Sequence, residues 1–558
     1  MEPNALPPPH EEPIEPKPEI KNSPSQVRLP FFIGITLACG LLLGATMFGG
    51  SQQVKDLLNG HAKLKQILTY IDRDYVDTVN TEQLVDYSIT KMLEKLDPHT
   101  SYIPVKDVQM ANAQLEGDFE GIGIEFNIYR DTLVVVATIP GGPSETAGLR
   151  AGDKIVAVDG QSISGHTLDN ATVYRYLRGK KGSKVTLDIR RKGRSEIFKV
   201  IVTRGKIPSY SVDVSYMIDA QTGYIKVSRF SANTYKEFRD ALSKLKKQGM
   251  TRLMLDLRDN PGGYLDRAVD MADELIPGNA KIVYTKGKNS KYDVESRAHI
   301  KGLFESGAIV VLINEGSASA SEIMAGALQD NDRALIVGRR SFGKGLVQVP
   351  MELNDGSELR LTISRYYTPS GRSIQKPYQN DPDGSQYKND LRERYNHGEL
   401  FTADSIKFDP GLQYTTKAGR TVYGGGGIMP DVFVPLDTTQ DTRLLNQLYE
   451  FNIIRAYALS YYEDHQQALS TQTYSAYYEG FVVNEKMHQA LQKMALDAGI
   501  KIDAGEYRQS QTLIAQHLKA WIARSVWKEE GFFPIWLERD EIFKKALTLF
   551  EEAARIGQ

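Results

Sequence analysis

Two side-chain types set 25 residues apart carry the chemistry in this chain: a serine in the run Gly316-Ser317-Ala318-Ser319-Ala320-Ser321 and a lysine in Gly343-Lys344-Gly345. The apolar, strand-like run 308–313 ends in the small-residue turn 316–320, and a helix-patterned segment begins near Ser321. A serine on such a turn is exposed, its small neighbours let a peptide carbonyl approach, and the first amides of the following helix point toward a developing oxyanion. The nine histidines are scattered and none pairs with this turn in sequence. A lysine replaces histidine as base only when neutral, and lowering its pKa from about 10.4 to about 7 means disfavouring the ammonium by roughly 4.6 kcal/mol. Phe342, Leu346 and Val347 give Lys344 the apolar setting this needs. Ser317 and Ser321 are the rival nucleophiles and read as turn and helix-capping residues. Asp330 reads as a helix-end or structural carboxylate. Alone, a GSAS turn is a plain strand-to-helix connection and a glycine-flanked lysine a solvated loop residue; order and spacing together make the case.

The pairing of GSASASE with SFGKGLVQ resembles the carboxyl-terminal processing, or tail-specific, proteases, the serine/lysine peptidase family S41. The resemblance spans roughly 96–435. It implies that Ser319 is the nucleophile, Lys344 the general base, and Gln348, four residues on, the residue that orients the base. It also implies that the turn Asn260-Pro261-Gly262-Gly263 lies by the active site and gives an amide to the oxyanion hole. Gly262 and Gly263 carry that role as a pair, with the Ala320 amide as second donor; the plain alternative is a strand-ending turn. No metal or organic cofactor is implied.

The elements that must position these residues begin with helical spacing over 55–116, within which LDPHTSYI, 96–103, resembles the family's entry segment and His99 reads as structural. Residues 117–205 resemble a PDZ domain. Its loop Gly121-Ile122-Gly123-Ile124 would offer backbone amides to a peptide C-terminal carboxylate, the peptide adding as a strand. Arg178 follows the expected groove helix, about 168–177. It reads either as a cation capping that helix or as a gate that substrate binding moves against the protease core. From 208 to 437 strands alternate with helices, GYIKVSRF, TYKEFRDALSKLKKQG, RLMLDLRDNPGG and YLDRAVDMADELIP, the punctuation of an α/β core with a partly parallel sheet. A hairpin turns at Asp355-Gly356, and 375–420 reads as a polar excursion. Residues 438–558 are helix-patterned over 442–460, 484–498 and 538–556.

At 558 residues with a formal net charge of −2, the chain predicts several domains and no nucleic-acid partner. Its single cysteine, Cys39, excludes an intrachain disulfide and a cysteine metal cluster. Residues 1–28, with eight prolines and five glutamates, read as a disordered tail. Residues 29–54 hold no charge, and LPFFIGITLACGLLLGATMF is long enough for a hydrocarbon layer of about 30 Å, so 29–50 reads as an uncleaved transmembrane anchor. A cleavable signal peptide is the competing reading, disfavoured by the acidic leader and the lack of an A-x-A site. Flanking lysines and arginines are nearly balanced, so charge leaves the orientation open; the resemblance points to a single-pass protein of the bacterial inner membrane with its catalytic body in the periplasm.

The expected architecture is therefore a multidomain α/β protein: N-terminal anchor and helical segment, inserted PDZ domain, α/β serine-protease core with βαβ units, and C-terminal helical region. The expected activity is that of a membrane-anchored serine endopeptidase taking protein or peptide substrates with free C-termini. A homo-oligomer or an adaptor partner stays open. The rival class is a membrane-bound PDZ scaffold that holds C-termini without cutting them, and the joint presence of Ser319, Lys344 and Gln348 argues against it. An acyl-transfer enzyme on a related fold lacks any carrier motif.

Overall fold

The computed structural model describes Thr36 and residues 52–556, apart from short breaks at 130–131, 140, 164–167, 379–380, 382–383 and 408. The tail and nearly all of the expected anchor lie outside the described residues. Among the described residues no helix is long and apolar enough to cross a membrane. The expected N-terminal helical segment contains the helices Gln52–Asp74, Thr81–Leu93 and Val105–Glu116.

The expected α/β core is a six-stranded sheet in the order Val212–Met217, Thr222–Val227, Arg252–Asp256, Ile309–Ile313, Leu335–Gly338, Val432–Phe433, parallel except for its first pair. Parallel strands covered on both faces read as unbroken apolar runs, as Ile309–Ile313 does, and the alternation of side chains decides what each residue meets. Leu253, Leu255, Ile309, Val311 and Ile336 pack with the helices Thr234–Lys247, Leu265–Asp273 and Ala320–Asp330. Met254, Val310, Leu312, Leu335 and Val337 pack instead with Leu444, Ile453, Ile514, Leu518 and Phe543 of the C-terminal helices. The C-terminal region is thus the second covering layer of the six-stranded sheet, and the expected boundary at 437/438 is not a packing boundary.

This layer includes a helix over Ala504–Trp536, kinked at Lys528, that the sequence pattern does not announce. Gln516, His517, Leu518, Ala520, Ile522 and Ala523 are all buried in it, so no single apolar stripe marks it. Gly531 and Pro534 near its end read as breaks.

A second, antiparallel sheet carries the strands Leu346–Glu352 and Glu358–Tyr367 as a hairpin, with Ser101–Ile103 and Lys281–Gly287 also paired to Glu358–Tyr367. A bulge between Val347 and Gln348 breaks the alternation there, which re-aims the side chains next to it.

The PDZ-like module stands on a ribbon of Asp118–Gly121 and Gly205–Pro208. Its edge strand Ile124–Tyr129 pairs only with Thr132–Thr138 among the described strands, so its other edge is open. The helix Asn170–Leu177 is capped by Asp169, whose carboxylate accepts the Thr172 amide at 2.7 Å. Phe126 of the edge strand meets Tyr174 of this helix edge to face at 5.6 Å. Glu125 accepts from Arg455 at 2.8 Å and Arg524 at 2.7 Å, which ties the module to the C-terminal helices.

Candidate active site

Ser319 caps the helix Ala320–Asp330 and sits at φ 53°, ψ −112°, a region that a side-chain-bearing residue adopts only under constraint. Strand, strained serine and helix make the kind of sharp turn that lifts a hydroxyl above a sheet. The helix starts one residue earlier than the sequence suggests. Its cap is Ser319, which corrects the reading of Ser321 as a capping residue. Ser317 and Ser321 are both fully buried, donating to the carbonyls of Leu257 at 2.8 Å and Asn260 at 2.9 Å, whereas Ser319 keeps partial exposure. Of the three serines, Ser319 is the one open to a substrate.

Lys344 is brought to the same place by two buried groups. One oxygen of Glu322 accepts the Ser319 amide at 2.8 Å and the Lys344 amide at 2.9 Å; the other accepts the Ser341 hydroxyl at 2.5 Å and the Gly343 amide at 2.7 Å. The Tyr366 hydroxyl lies 3.1 Å from the Ser319 carbonyl and 2.8 Å from the Lys344 carbonyl. Both peptide groups of the serine therefore share a partner with those of the lysine. Burial pushes the Glu322 carboxyl up to about 7, against the pull of its four donors toward the ionised form. Burial also lowers the Lys344 ammonium from the ordinary lysine value, while the charges of Glu322 and Asp97 raise it and Arg360 lowers it further.

The glycine turn closes the other side. A Cβ on Gly262 would lie 2.7 Å from the Ser319 Cβ and 2.9 Å from the Ala320 amide nitrogen, so only glycine allows this approach. The Gly262 N–H is already given to the Asn260 side chain at 2.9 Å, so it is not available to an oxyanion, a correction to its expected role. The Gly262 carbonyl accepts from Phe230 at 2.9 Å. In a trans peptide the next N–H points the opposite way, so Gly263 aims its amide away from Phe230, toward the side where Ile309–Ile313, the strand that leads to Ser319, follows in the sheet order. The amides of Gly263 and Ala320 have no hydrogen-bond partner among the described residues.

Gln348 lies opposite Thr362 in the hairpin and donates Nε2 to its hydroxyl at 2.9 Å. The polar excursion contributes a wall that sequence reasoning missed: Gln375 accepts the Gly345 amide at 2.8 Å, and the Lys376 ammonium lies over Phe342 at 3.9 Å and Tyr387 at 4.1 Å. The His99 Nε2 lies 2.7 Å from the Tyr387 hydroxyl, and burial takes its pKa down to about 4, which keeps the ring neutral. Asp330 is fully committed, to buried Arg372 at 2.7 Å and to the Ser370 hydroxyl at 2.7 Å. Glu322 and Tyr366 are the supporting residues the sequence did not single out. The Ser-x-x-Glu spacing of a capping box was the available signal for the first; nothing local marks the second.

Comparison with known proteins bears on this geometry. The model of peptidase family S41 matches residues 221–384, and a PDZ domain model matches 134–191. The carboxy-terminal-processing protease of Bartonella bacilliformis is 36% identical over 349 residues, 62% of this chain and 79% of that protein. The chain belongs to the carboxy-terminal-processing proteases of peptidase family S41. It is a serine-type peptidase with a PDZ domain. A CtpA-like serine protease of Staphylococcus aureus is 37% identical over 314 residues, 56% of this chain and 62% of that relative. Among solved structures, a photosystem II D1 C-terminal processing protease is 28% identical and covers 68% of this chain and 89% of its own, with a TM-score of 0.35. Residues 444–528 of this S41 peptidase also match a family of unknown function, and they fall within the helical layer behind the sheet.

Two expected PDZ features have distinct surroundings in this S41 chain. Gly121, Ile122 and Gly123 are buried at the start of the open-edged strand that begins at Ile124, and the carbonyls of Ile122 and Gly123 accept the amides of Ser144 and Ile139. Arg178 follows the groove helix, gives its amide to the Tyr174 carbonyl at 2.9 Å, and lays its guanidinium over Phe119 at 5.0 Å and Tyr174 at 4.6 Å. Phe119 and Tyr174 both belong to the PDZ module and its stem.

Proposed function

We propose that this peptidase cleaves protein chains with a Ser319/Lys344 dyad. The observation that carries the reading is the shared anchoring of the two residues, amide to amide through Glu322 and carbonyl to carbonyl through Tyr366. Neutral Lys344 takes the Ser319 proton as the hydroxyl oxygen attacks the peptide carbonyl, giving a tetrahedral oxyanion held by the amides of Gly263 and Ala320. The proton then passes to the leaving amine, and water, deprotonated by the same lysine, hydrolyses the acyl-enzyme. Gln348 orients the lysine.

The PDZ module takes substrate C-termini at Gly121 to Ile124, the open edge of Ile124–Tyr129 supporting strand addition. A PDZ domain of a carboxy-terminal protease from Vibrio cholerae has been solved in complex with peptide. Arg178 leaves its aromatic cradle when substrate seats and couples the module to the protease core. The uncharged run 29–54 anchors the protein in the bacterial inner membrane with the catalytic body in the periplasm.

The test is turnover of an unfolded protein by the full chain. Ser319→Ala and Lys344→Ala are expected to abolish cleavage while melting as wild type does. Because burial disfavours the Lys344 ammonium, kcat rises with pH through an apparent pKa below the ordinary lysine range. Wild-type cleavage by Lys344→Ala, or a flat profile from about pH 5 to 10, refutes the dyad.

A further inference from the structure

Thr362 sits in the middle strand of the second sheet, with Gln348 in register on one side and the turn that precedes Ser101–Ile103 on the other. That turn is organised by Asp97, which is buried at 9% exposure. One of its oxygens accepts the amides of His99 and Thr100, each at 2.8 Å, and the Thr362 hydroxyl at 3.1 Å. The other accepts the Thr100 hydroxyl at 2.5 Å. The Thr100 hydroxyl in turn accepts the Thr362 amide at 3.1 Å.

The polarity of this chain follows from proton counting. A carboxylate has no hydrogen to give, so Thr100 and Thr362 each spend their single hydroxyl hydrogen on Asp97. Thr362 is left with lone pairs only on the side facing Gln348. The Gln348 amide must therefore turn Nε2 toward Thr362, as it does at 2.9 Å, because the flipped amide would set two acceptors against each other. The carbonyl Oε1 is then the end left free for other work. An orienting group for a lysine base has to be an acceptor: it receives one N–H of the neutral amine, and the lone pair is left to point at the serine hydroxyl.

We infer that Asp97 and Thr362 are positioning residues for the reaction, acting through Gln348 by fixing which end of its amide is presented to Lys344. The inference rests on the proposed assignment of Lys344 as base and of Gln348 as the group that orients it. It gives the Leu96-Asp97-Pro98-His99-Thr100 segment a role in catalysis that its place outside the peptidase-domain match, which begins at 221, does not suggest. His99 contributes only its backbone amide to the chain.

The full-length protein tests this with four variants, Thr362→Val, Thr362→Ser, Gln348→Ala and the double variant Thr362→Val/Gln348→Ala, assayed on a denatured protein substrate. Thr362→Val keeps the shape of the side chain and removes the acceptor. It is expected to lower kcat about tenfold, the worth of one neutral hydrogen bond, with KM unchanged. Thr362→Ser restores the hydroxyl and most of the rate. The double variant is expected to be no slower than Gln348→Ala alone, because Thr362 has nothing left to act through. Wild-type kcat in Thr362→Val overturns the inference. So do losses that multiply in the double variant, which would make Thr362 a structural residue independent of Gln348. If Thr362→Val fails to fold, the comparison passes to Asp97→Asn, whose amide can donate and so frees the Thr362 hydroxyl to turn. That variant is expected to lower kcat with KM unchanged, and a wild-type kcat overturns the chain. Cleavage by Lys344→Ala is a separate outcome that removes the base itself.

Discussion

Glu322→Gln probes how the site is held together, and its cost can be worked from the four hydrogen bonds. A carboxamide keeps one acceptor oxygen of the two. With that oxygen placed where it accepts from Ser319 and Lys344, the new NH2 faces the Ser341 hydroxyl and the Gly343 amide. Ser341 can rotate and accept, as it already does from the Ile428 amide at 2.6 Å. Gly343 cannot, and its buried N–H is left unpaired at a cost of about 1–3 kcal/mol. Two remaining bonds fall from charge-assisted to neutral, which adds roughly another 1–2 kcal/mol. The variant is therefore expected to lose about 2–5 kcal/mol by urea denaturation. Glu322→Ala strands all four donors and is expected to spend most of the stability of a domain, so glutamine is the informative change.

The same substitution removes a negative charge that raises the Lys344 pKa. The acid limb of the kcat profile is therefore expected to move to lower pH, since a lower pH is then needed to protonate the base. The plateau falls about tenfold to a hundredfold as Gly343 shifts beside Lys344. Stability should be compared at about pH 8.5, above the value of about 7 to which burial pushes Glu322, so that wild type carries the carboxylate. Unchanged stability, or an acid limb that stays put or moves up, would refute the account of Glu322 as the link between Ser319 and Lys344.

Gly262→Ala places a Cβ within 3 Å of the Ser319 Cβ, the Ala318 carbonyl and the Ala320 amide, at φ 98°; it is expected to abolish turnover while peptide binding to the PDZ module, read by fluorescence anisotropy, is retained. Wild-type turnover would mean that the glycine turn does not border the reacting atoms. Arg178→Ala is expected to lower turnover of a PDZ-binding substrate several-fold with little change in melting temperature or in affinity for its isolated C-terminal peptide. A fall in stability alone would show that the guanidinium only braces Phe119 and Tyr174.

What the sequence made legible was the part of the site written in short, ordered motifs. Ser319, Lys344 and the glycine turn are each forced into unusual local chemistry by glycine and small residues, and such constraints act on a few neighbouring positions. Glu322 was half visible, since the spacing of a capping box predicts that it reaches back to Ser319, but not that it also receives Lys344 from 22 residues away. Tyr366 and Thr362 were invisible because their partners are set by the register of a hairpin and by the bulge between Val347 and Gln348. A one-residue slip there would turn each of them to the other face.

The least legible feature was the relation of the last 120 or so residues to the site, and the reason is geometric. A strand such as Ile309–Ile313 is apolar at every position, so its sequence states that both faces are covered but not by what. The structure answers with helices that begin after residue 437 and reach Arg258, at the strand end from which the glycine turn leaves. Arg258, the residue before Asp259-Asn260-Pro261-Gly262-Gly263, is buried between Asp256 and Asp540, with two bonds of 2.7 Å to the Asp540 carboxylate. Asp540 also caps the helix Glu541–Leu547 by accepting the Phe543 amide at 2.7 Å. A guanidinium so buried is tolerated only with its carboxylates in place, so the far C-terminal helices fix the strand end from which the glycine turn leaves. The same layer holds Glu125 of the PDZ edge strand through Arg455 and Arg524. One helical layer thus touches both the strand that would receive a substrate C-terminus and the strand that leads to the glycine turn, which makes it part of the peptidase rather than an appendage to it.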